Sequence, residues 1–336
     1  MKKKKGTKNP RFFYLVPYVG SKRLSTETYW QYLKRRLLWG NRQLPVGGIK
    51  IIYQHCYLLK KNGYEAYPVH TYNFKINWFS HNLSPISVKK ALNLIQESDI
   101  LVCPEVTPKE AKPFKCRRKI VFVQNWALTE ATGPDKSYED YGFYQLLSCS
   151  HYNKDFMKGR STLPCSVVVN GIDLTVFRHL PERKKARTVL YLNRKKADDA
   201  RQAIKALGPE IYKTARFIEL ESRYTQNEIV EYYQEADIFL ALGYPEGFAL
   251  PPLEAMACGC AVVGFTGGGG AEHMIDGQTA LIAPDGDVQA LSDCLKRILT
   301  NDTLKEKIRT GGLNKAKEFS IGRMERDLLA FVNSFH

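Results

Sequence analysis

Short apolar runs alternate with stretches of helical period through almost all of this chain, and that alternation restricts the folds open to it more than any other feature. In the first half, Phe12–Val16, Ala66–Val69, Asp99–Val102, Lys119–Val123 and Leu146–Cys149 read as strands. Gly47-Gly48 opens a helix in which Ile49, Ile52, Cys56 and Leu59 recur at spacings of three and four, and Asn62-Gly63 closes it. Val88 to Gln96 is a second helical pattern. The second half repeats the theme with strands at Ser166–Val169, Thr188–Leu192, Arg216–Leu220, Asp237–Leu242, Ala261–Gly264 and Ala280–Ile282. Its clearest helix runs from Val288 to Leu299, with apolar residues on one face. Strands that are apolar on both faces and separated by helices belong to parallel sheets covered on both sides. The 336 residues suffice for two such domains. The polar, basic stretch 179–187 resembles an interdomain connection, with the boundary somewhere in 160–187. The reading is α/β with two Rossmann-like domains, 1–165 and 166–320, and a last helix, 321–336, that can cross back to the first domain. Open parallel sheets bind ligands beyond the carboxyl ends of their strands, so two of them facing each other predict an interdomain cleft.

Composition removes several classes. Apolar residues make up 44% and charged residues 25%, which is ordinary for a folded chain. No run of eighteen apolar residues exists, so a membrane-spanning helix is not expected. The basic start lacks the apolar core of a secretory signal, and eight cysteines without a CxxC pair read as reduced thiols, so the expected location is cytoplasmic. The net charge of +16 is uneven: residues 1–50 hold thirteen Lys or Arg and one acid, Glu27. Such a segment attracts an anionic membrane surface or a charged glycan. Trp30, Leu33 and Leu37 with Lys34–Arg36 fit an interfacial helix on the inner face of a membrane, and equally a solvated basic surface. Nucleic acid is not expected as a partner, because no nucleic-acid motif is present and the basic excess lies away from the acidic loop described next.

That loop is the densest chemical signal. Gly243-Tyr-Pro-Glu-Gly-Phe-Ala-Leu-Pro-Pro-Leu-Glu254 starts where a strand ends. Pro251-Pro252 suits the first turn of a helix, because proline fixes φ and lacks an N–H that this turn leaves unpaired. Glu246 then lies on the loop and Glu254 in or near the first helical turn. The amides of Phe248, Ala249 and Leu250 between them can face a phosphate at the positive helix end. Carboxylates accept hydrogen bonds from sugar and ribose hydroxyls. The same two residues also fit a solvated loop position and a complement to the helix dipole. Thr266-Gly-Gly-Gly-Gly-Ala-Glu-His273 follows another strand, and its successive amides can form an anion-binding nest. Asp285-Gly-Asp287 is formally a D-x-D motif, but Asp287 sits where a helix N-cap belongs, and no metal site is expected. No G-x-G-x-x-G follows the first strand, which argues against a nicotinamide enzyme, and no cofactor is expected.

The segment from Glu246 to Val263 resembles the donor-site signature of the retaining family 4 glycosyltransferases, nucleotide-sugar enzymes of the GT-B fold. The family pattern is E-G-F-G-L-P-x-x-E-A-M-A-x-G-x-P-V-V. Glu246 and Glu254 keep its spacing, with Ala249 where the family favours Gly and Ala261 where it favours Pro. Asn170-Gly171-Ile172-Asp173 with Phe177 resembles the family's interdomain motif and reads as architecture. The resemblance implies that Glu246 holds donor-sugar hydroxyls near the reacting carbon and that Glu254 binds the ribose. It implies that Arg194 and Lys195 neutralise the diphosphate, although Asn193-Arg-Lys-Lys196 is shorter than the family's G-R-x…K. Further donor-binding residues implied are Gly47, Gly48, Lys196, Gly247, Phe248, Ala249, Leu250, Gly268 and Gly269, and Glu272 aligns with a family glutamate. No catalytic histidine carries over, because Gln124-Asn125-Trp126 stands near that point; Gln124 and Asn125 are acceptor-site candidates. The implied activity is metal-independent transfer of a sugar from a nucleotide-diphosphate donor to a glycan or lipid-linked acceptor, in polysaccharide or glycoconjugate synthesis. A nucleotide-sugar epimerase of the same fold and a non-catalytic sugar-binding module are the alternatives.

Overall fold

The structure, a computed structural model, describes residues 9–18, 45–132, 137–221 and 224–335. The expected interfacial helix around Trp30, Leu33 and Leu37 lies outside them. A first sheet contains β1 (Phe12–Val16), β2 (Ala66–His70), β3 (Ile86–Ser87), β4 (Ile100–Pro104), β5 (Arg118–Val123), β6 (Gln145–Ser148) and β7 (Cys165–Val167), in the order β3-β2-β1-β4-β5-β6-β7. β1 pairs parallel with β2 and β4, and β4 with β5. Every residue of β1 and β4 is buried, as parallel strands covered on both faces require. α1 (Gly47–Lys61) precedes β2, α2 (Val88–Leu94) follows β3, and α3 (His151–Met157) follows β6.

The second sheet is built from β8 (Lys185–Leu192), β9 (Arg216–Leu220), β10 (Ala236–Ala241), β11 (Ala261–Gly264) and β12 (Ala280–Ile282), in the order β12-β11-β10-β8-β9, with all pairs parallel. Its helices are α4 (Ala197–Lys205), α5 (Pro209–Thr214), α6 (Gln226–Glu235), α7 (Leu250–Ala257), α8 (Val288–Thr300), α9 (Asp302–Lys317) and α10 (Ile321–Asn333). Val189, Ile238, Val263 and Leu281 pack against Ala200, Ala203 and Ile204 of α4 and Leu291, Leu295 and Ile298 of α8. Each large aliphatic side chain buried there stabilises the fold by about 1.5–3 kcal/mol. Side chains set the helix starts. Asp287 accepts the Ala290 amide at 2.9 Å, the cap expected of it, and Thr225 and Glu228 form a reciprocal capping box on α6.

Two compact units result. One holds the described residues of Met1–Phe122, Thr129–Leu147 and Ser161–Cys165; the other holds Val123–Leu128, Ser148–Arg160 and the described residues of Ser166–His336. Two expectations change. The strand read as Ser166–Val169, at the head of the second domain, is Cys165–Val167 and forms the edge of the first sheet. The basic stretch read as connection is already strand from Lys185, because Lys185–Arg187 extend β8 beyond its apolar part. Asn170-Gly171 is architecture, as expected: Ile172 N–H donates to Phe319 O at 2.8 Å, and a Cβ at Gly171 would lie 2.5 Å from Ser320 O.

The order of the second sheet places a topological switch point beside β8. The chain leaves β8 toward β9 on one side and returns to place β10 on the other. The strand ends at Leu192 and Ala241 therefore flank the topological switch point, where the two following loops diverge and open a crevice.

Candidate active site

Both loops that leave the switch point carry charge into it. Arg194 and Lys195 follow β8, and Glu246 follows β10. Lys195 Nζ lies 2.8 Å from Glu246 Oε1 and donates to Pro245 O at 3.0 Å; Arg194 Nη2 is 3.5 Å from the same carboxylate oxygen. The carboxylate is only 15% exposed, so both contacts act where water screens weakly. A small pocket beside it is lined by Arg194, Lys195, Gly243, Glu246, Ala249 and Pro251 among others. Gly243 makes room for the acid: a Cβ there would stand 2.6 Å from Glu246 Oε1.

Backbone pairing holds the acidic loop in place. Glu246 N–H donates to Gly267 O at 2.8 Å, and Gly269 N–H donates to Glu246 O at 2.9 Å. The glycine loop was expected to offer its amides to an anion, and this needs correction. The Gly267 amide donates to Asp285 Oδ1 at 3.1 Å, that of Gly268 to Thr266 Oγ1 at 3.4 Å, and that of Gly270 to Thr266 O at 2.9 Å. The loop spends its donors on internal order and on carrying Glu246. Close approach explains the glycine run: a Cβ on Gly269 would lie 2.1 Å from the carbonyl carbon of Gly247.

α7 begins at Leu250, with Pro251 and Pro252 in its first turn as expected. Ala249 is its N-cap, in the left-handed region at φ +57, where a Cβ costs about 1 kcal/mol. Glycine would sit there without strain, which is the physical content of the departure seen at this position. Glu254 is the fifth helical residue, beyond the first turn, and is 8% exposed. It lies outside the lining of the pocket that holds Glu246. Tyr224 marks its surroundings: burial pushes that phenol up to about 12, Arg194 pulls it down and Glu254 raises it, so the hydroxyl feels both groups. Nothing in the sequence pattern singles out Tyr224.

The remaining expected residues fall elsewhere. Lys196 is the N-cap of α4 at φ +52 and places Nζ 4.4 Å over the Tyr244 ring, whereas Lys195 meets the carboxylate. Gly47 and Gly48 are the first two residues of α1, in the other unit. Glu272 Oε1 accepts the Tyr152 amide at 2.9 Å. Asn125 is committed to structure: Nδ2 donates to Pro245 O at 3.3 Å and Oδ1 accepts the Ala127 amide at 3.1 Å. Gln124 O leaves no space for a side chain at position 247, since a Cβ on Gly247 would lie 1.9 Å from it. His273 is wholly buried between Phe248 and Phe319, and burial pushes it down to about 3, so it stays neutral. Among the described residues no group of three His, Cys, Asp or Glu side chains is placed to hold a metal ion, and no helix is long and apolar enough to cross a membrane.

Two Rossmann-like units with parallel sheets define the GT-B fold. Solved structures share it along nearly the whole chain. Sucrose-phosphate synthase from Thermosynechococcus elongatus matches at a TM-score of 0.69 and 14% identity, over 96% of this chain and 98% of its own. Anabaena HepE, in complex with UDP and glucose, matches at 0.69 and 13%, over 97% and 100%. Within that fold, residues 210–315 match the family glycosyl transferases group 1. A D-inositol 3-phosphate glycosyltransferase from a Nocardioides species is 30% identical over 105 residues, which is 31% of this chain and 23% of that protein. A 2-deoxystreptamine N-acetyl-D-glucosaminyltransferase from Niallia circulans is 33% identical over 78 residues, 23% of this chain and 20% of that one. The matched stretch thus spans under a quarter of the length of these curated relatives.

Proposed function

We propose that this chain is a retaining, metal-independent glycosyltransferase. It moves a sugar from a nucleotide-diphosphate donor to a glycan or lipid-linked acceptor, in cell-surface polysaccharide or glycoconjugate synthesis. The second unit binds the donor and the first binds the acceptor. The observation that carries the reading is one half-buried carboxylate, Glu246, held by Lys195 and Arg194 at the switch point of the second sheet.

A departing diphosphate needs charge neutralisation more than protonation. Arg194, Lys195 and the amides of Phe248, Ala249 and Leu250 at the start of α7 supply it. Glu246 accepts hydrogen bonds from hydroxyls of the donor sugar and so fixes its reacting carbon beside those cations. Glu254 accepts from the ribose. The acceptor hydroxyl attacks that carbon from the leaving-group side. The bond from sugar to diphosphate breaks, the new glycosidic bond forms on the same face, and the acceptor's proton passes to a donor phosphate oxygen. The basic segment 1–50 brings the protein to an anionic membrane surface or to the acceptor itself. UDP-glucose is the first donor to try and UDP the first diphosphate, because HepE was solved with them.

A thermal-shift screen of nucleoside diphosphates and nucleotide sugars on the wild type and Glu246→Ala tests this. A bound donor at a hundred times its Kd stabilises by about 2.7 kcal/mol, easily read as a rise in Tm. Both proteins should bind the same diphosphate, with turnover of the matching nucleotide sugar lower by about 1000-fold in the variant. A wild-type rate from Glu246→Ala refutes the assignment.

A further inference from the structure

Three consecutive carbonyls, those of Pro245, Glu246 and Gly247, each accept a hydrogen bond from a side chain about a hundred residues away in sequence. Asn125 Nδ2 donates to Pro245 O at 3.3 Å. Trp126 Nε1 donates to Glu246 O at 3.1 Å and also to Gly267 O at 3.2 Å. Ser150 Oγ donates to Gly247 O at 2.6 Å and accepts the Asn153 amide as the N-cap of α3. Segments 123–128 and 148–160 group with the second unit, so these contacts lie inside one compact body.

From this arrangement we propose that Trp126 is a positioning residue for Glu246. Its indole N–H fastens the carboxylate-bearing loop to the glycine loop, with Asn125 and Ser150 holding the carbonyls on either side. The assignment rests on the reading of Glu246 given above. Glu246 and Gly268 form an isolated bridge with no ladder on either side to steady it. The two carbonyls of that bridge, Glu246 O and Gly267 O, already accept one amide each, and the Trp126 N–H sits between them as a shared third donor. The indole packs against two rings, 5.0 Å from that of Phe156 and 6.1 Å from that of Tyr152. Tyr152 in turn gives its amide to Glu272 at the end of the glycine loop. The start of α3 and the indole thus grip both loops. What they set is the height of the Glu246 backbone, and with it the reach of the carboxylate to Lys195 Nζ at 2.8 Å. Misplacing a reacting group by about 1 Å costs on the order of 100-fold in rate, so a bond that leaves stability nearly unchanged can still control turnover.

The test is Trp126→Phe in the full chain, which keeps an aromatic ring against Phe156 and Tyr152 and removes the donor. Hydrogen exchange across the peptide covering 245–270 is followed together with Tm, and UDP-glucose turnover is resolved into kcat and KM. The expected result is an unchanged Tm, exchange of the Glu246 and Gly269 amides faster by about 10-fold, and kcat lower by about 10-fold or more at constant KM. Asn125→Ala, at the more exposed end of the same row, should shift exchange and kcat in the same direction by less. Unchanged exchange in Trp126→Phe overturns the proposal. So does faster exchange with unchanged kcat, or a fall in Tm that accounts for both effects. If wild-type protein neither binds UDP nor turns over UDP-glucose, the donor reading for UDP-glucose fails, while the exchange result still decides whether the indole holds the loop.

Discussion

Gly243→Ala should silence the proposed active site while leaving the fold in place. The added Cβ would stand 2.6 Å from Glu246 Oε1, 3.0 Å from Cγ and 3.2 Å from Cδ. Gly243 is not among the glycines with positive φ, so alanine fits its backbone, and the three nearest atoms all belong to one flexible side chain. A comfortable carbon–oxygen contact is about 3.4 Å, which requires the carboxylate to retreat by about 0.8 Å. That retreat is comparable to the whole margin between the 2.8 Å contact to Lys195 and the limit of a hydrogen bond near 3.5 Å. Turnover should fall by about 100-fold, with stability altered by less than about 1 kcal/mol because no backbone moves. Steady-state kinetics with the nucleotide sugar selected by thermal shift, beside a urea melt, measure both quantities. A double variant isolates the cause: in a Glu246→Ala background, adding Gly243→Ala should leave diphosphate affinity unchanged, since the displaced group is gone. A Gly243→Ala enzyme with wild-type kcat would refute the claim that the Glu246 position governs the reaction. A large loss of stability would show instead that the site cannot relax through that side chain alone.

Two further outcomes follow from burial and charge. Burial lowers His273 from 6.5 to about 3, so the unfolded chain takes up a proton between those values that the fold refuses. Stability is therefore complete above pH 6.5 and falls as the pH drops below it, by about 2 kcal/mol for this one group at pH 5. His273→Phe should reduce the loss between pH 7 and pH 5 by that amount in urea unfolding, with the wholly buried His55, also lowered to about 3, still contributing; an unaltered pH slope would contradict it. Residues 1–50 carry thirteen basic groups against one acid, so the chain should co-sediment with anionic liposomes at low salt and release as salt rises. No co-sedimentation at low salt removes the membrane reading.

The elements were legible because their signals are local. Ala261–Gly264, Arg216–Leu220 and Ala280–Ile282 are strands over the very spans that their apolar runs mark, and Asp287 caps α8 as its place before a 3.6-residue pattern requires. Errors gathered where a local pattern does not specify its partner. The strand Cys165–Val167 pairs in the first sheet rather than the second, and a strand's sequence does not encode which sheet it joins. The Gly267–Gly270 amides looked available to an anion because nothing in the run announces that Asp285, Thr266 and Glu246 accept from them.

Within the site, the sequence by itself determined the chemical types. The Glu246–Glu254 spacing, the prolines after Leu250 and the basic turn Arg194–Lys196 are all contiguous or nearly so, and chain geometry alone puts them on a loop, a helix start and a strand end. Only the tertiary structure decided which of those groups meet: Lys195 rather than Lys196 on the carboxylate, and the Trp126 indole on the backbone of Glu246. Hydrophobic periodicity is read over a dozen residues, whereas a contact spanning 120 positions depends on strand order and on how closely loops pack. Neighbouring lysines have similar propensity and charge, and only the left-handed turn at Lys196, which aims one at Tyr244 and leaves the other for Glu246, tells them apart.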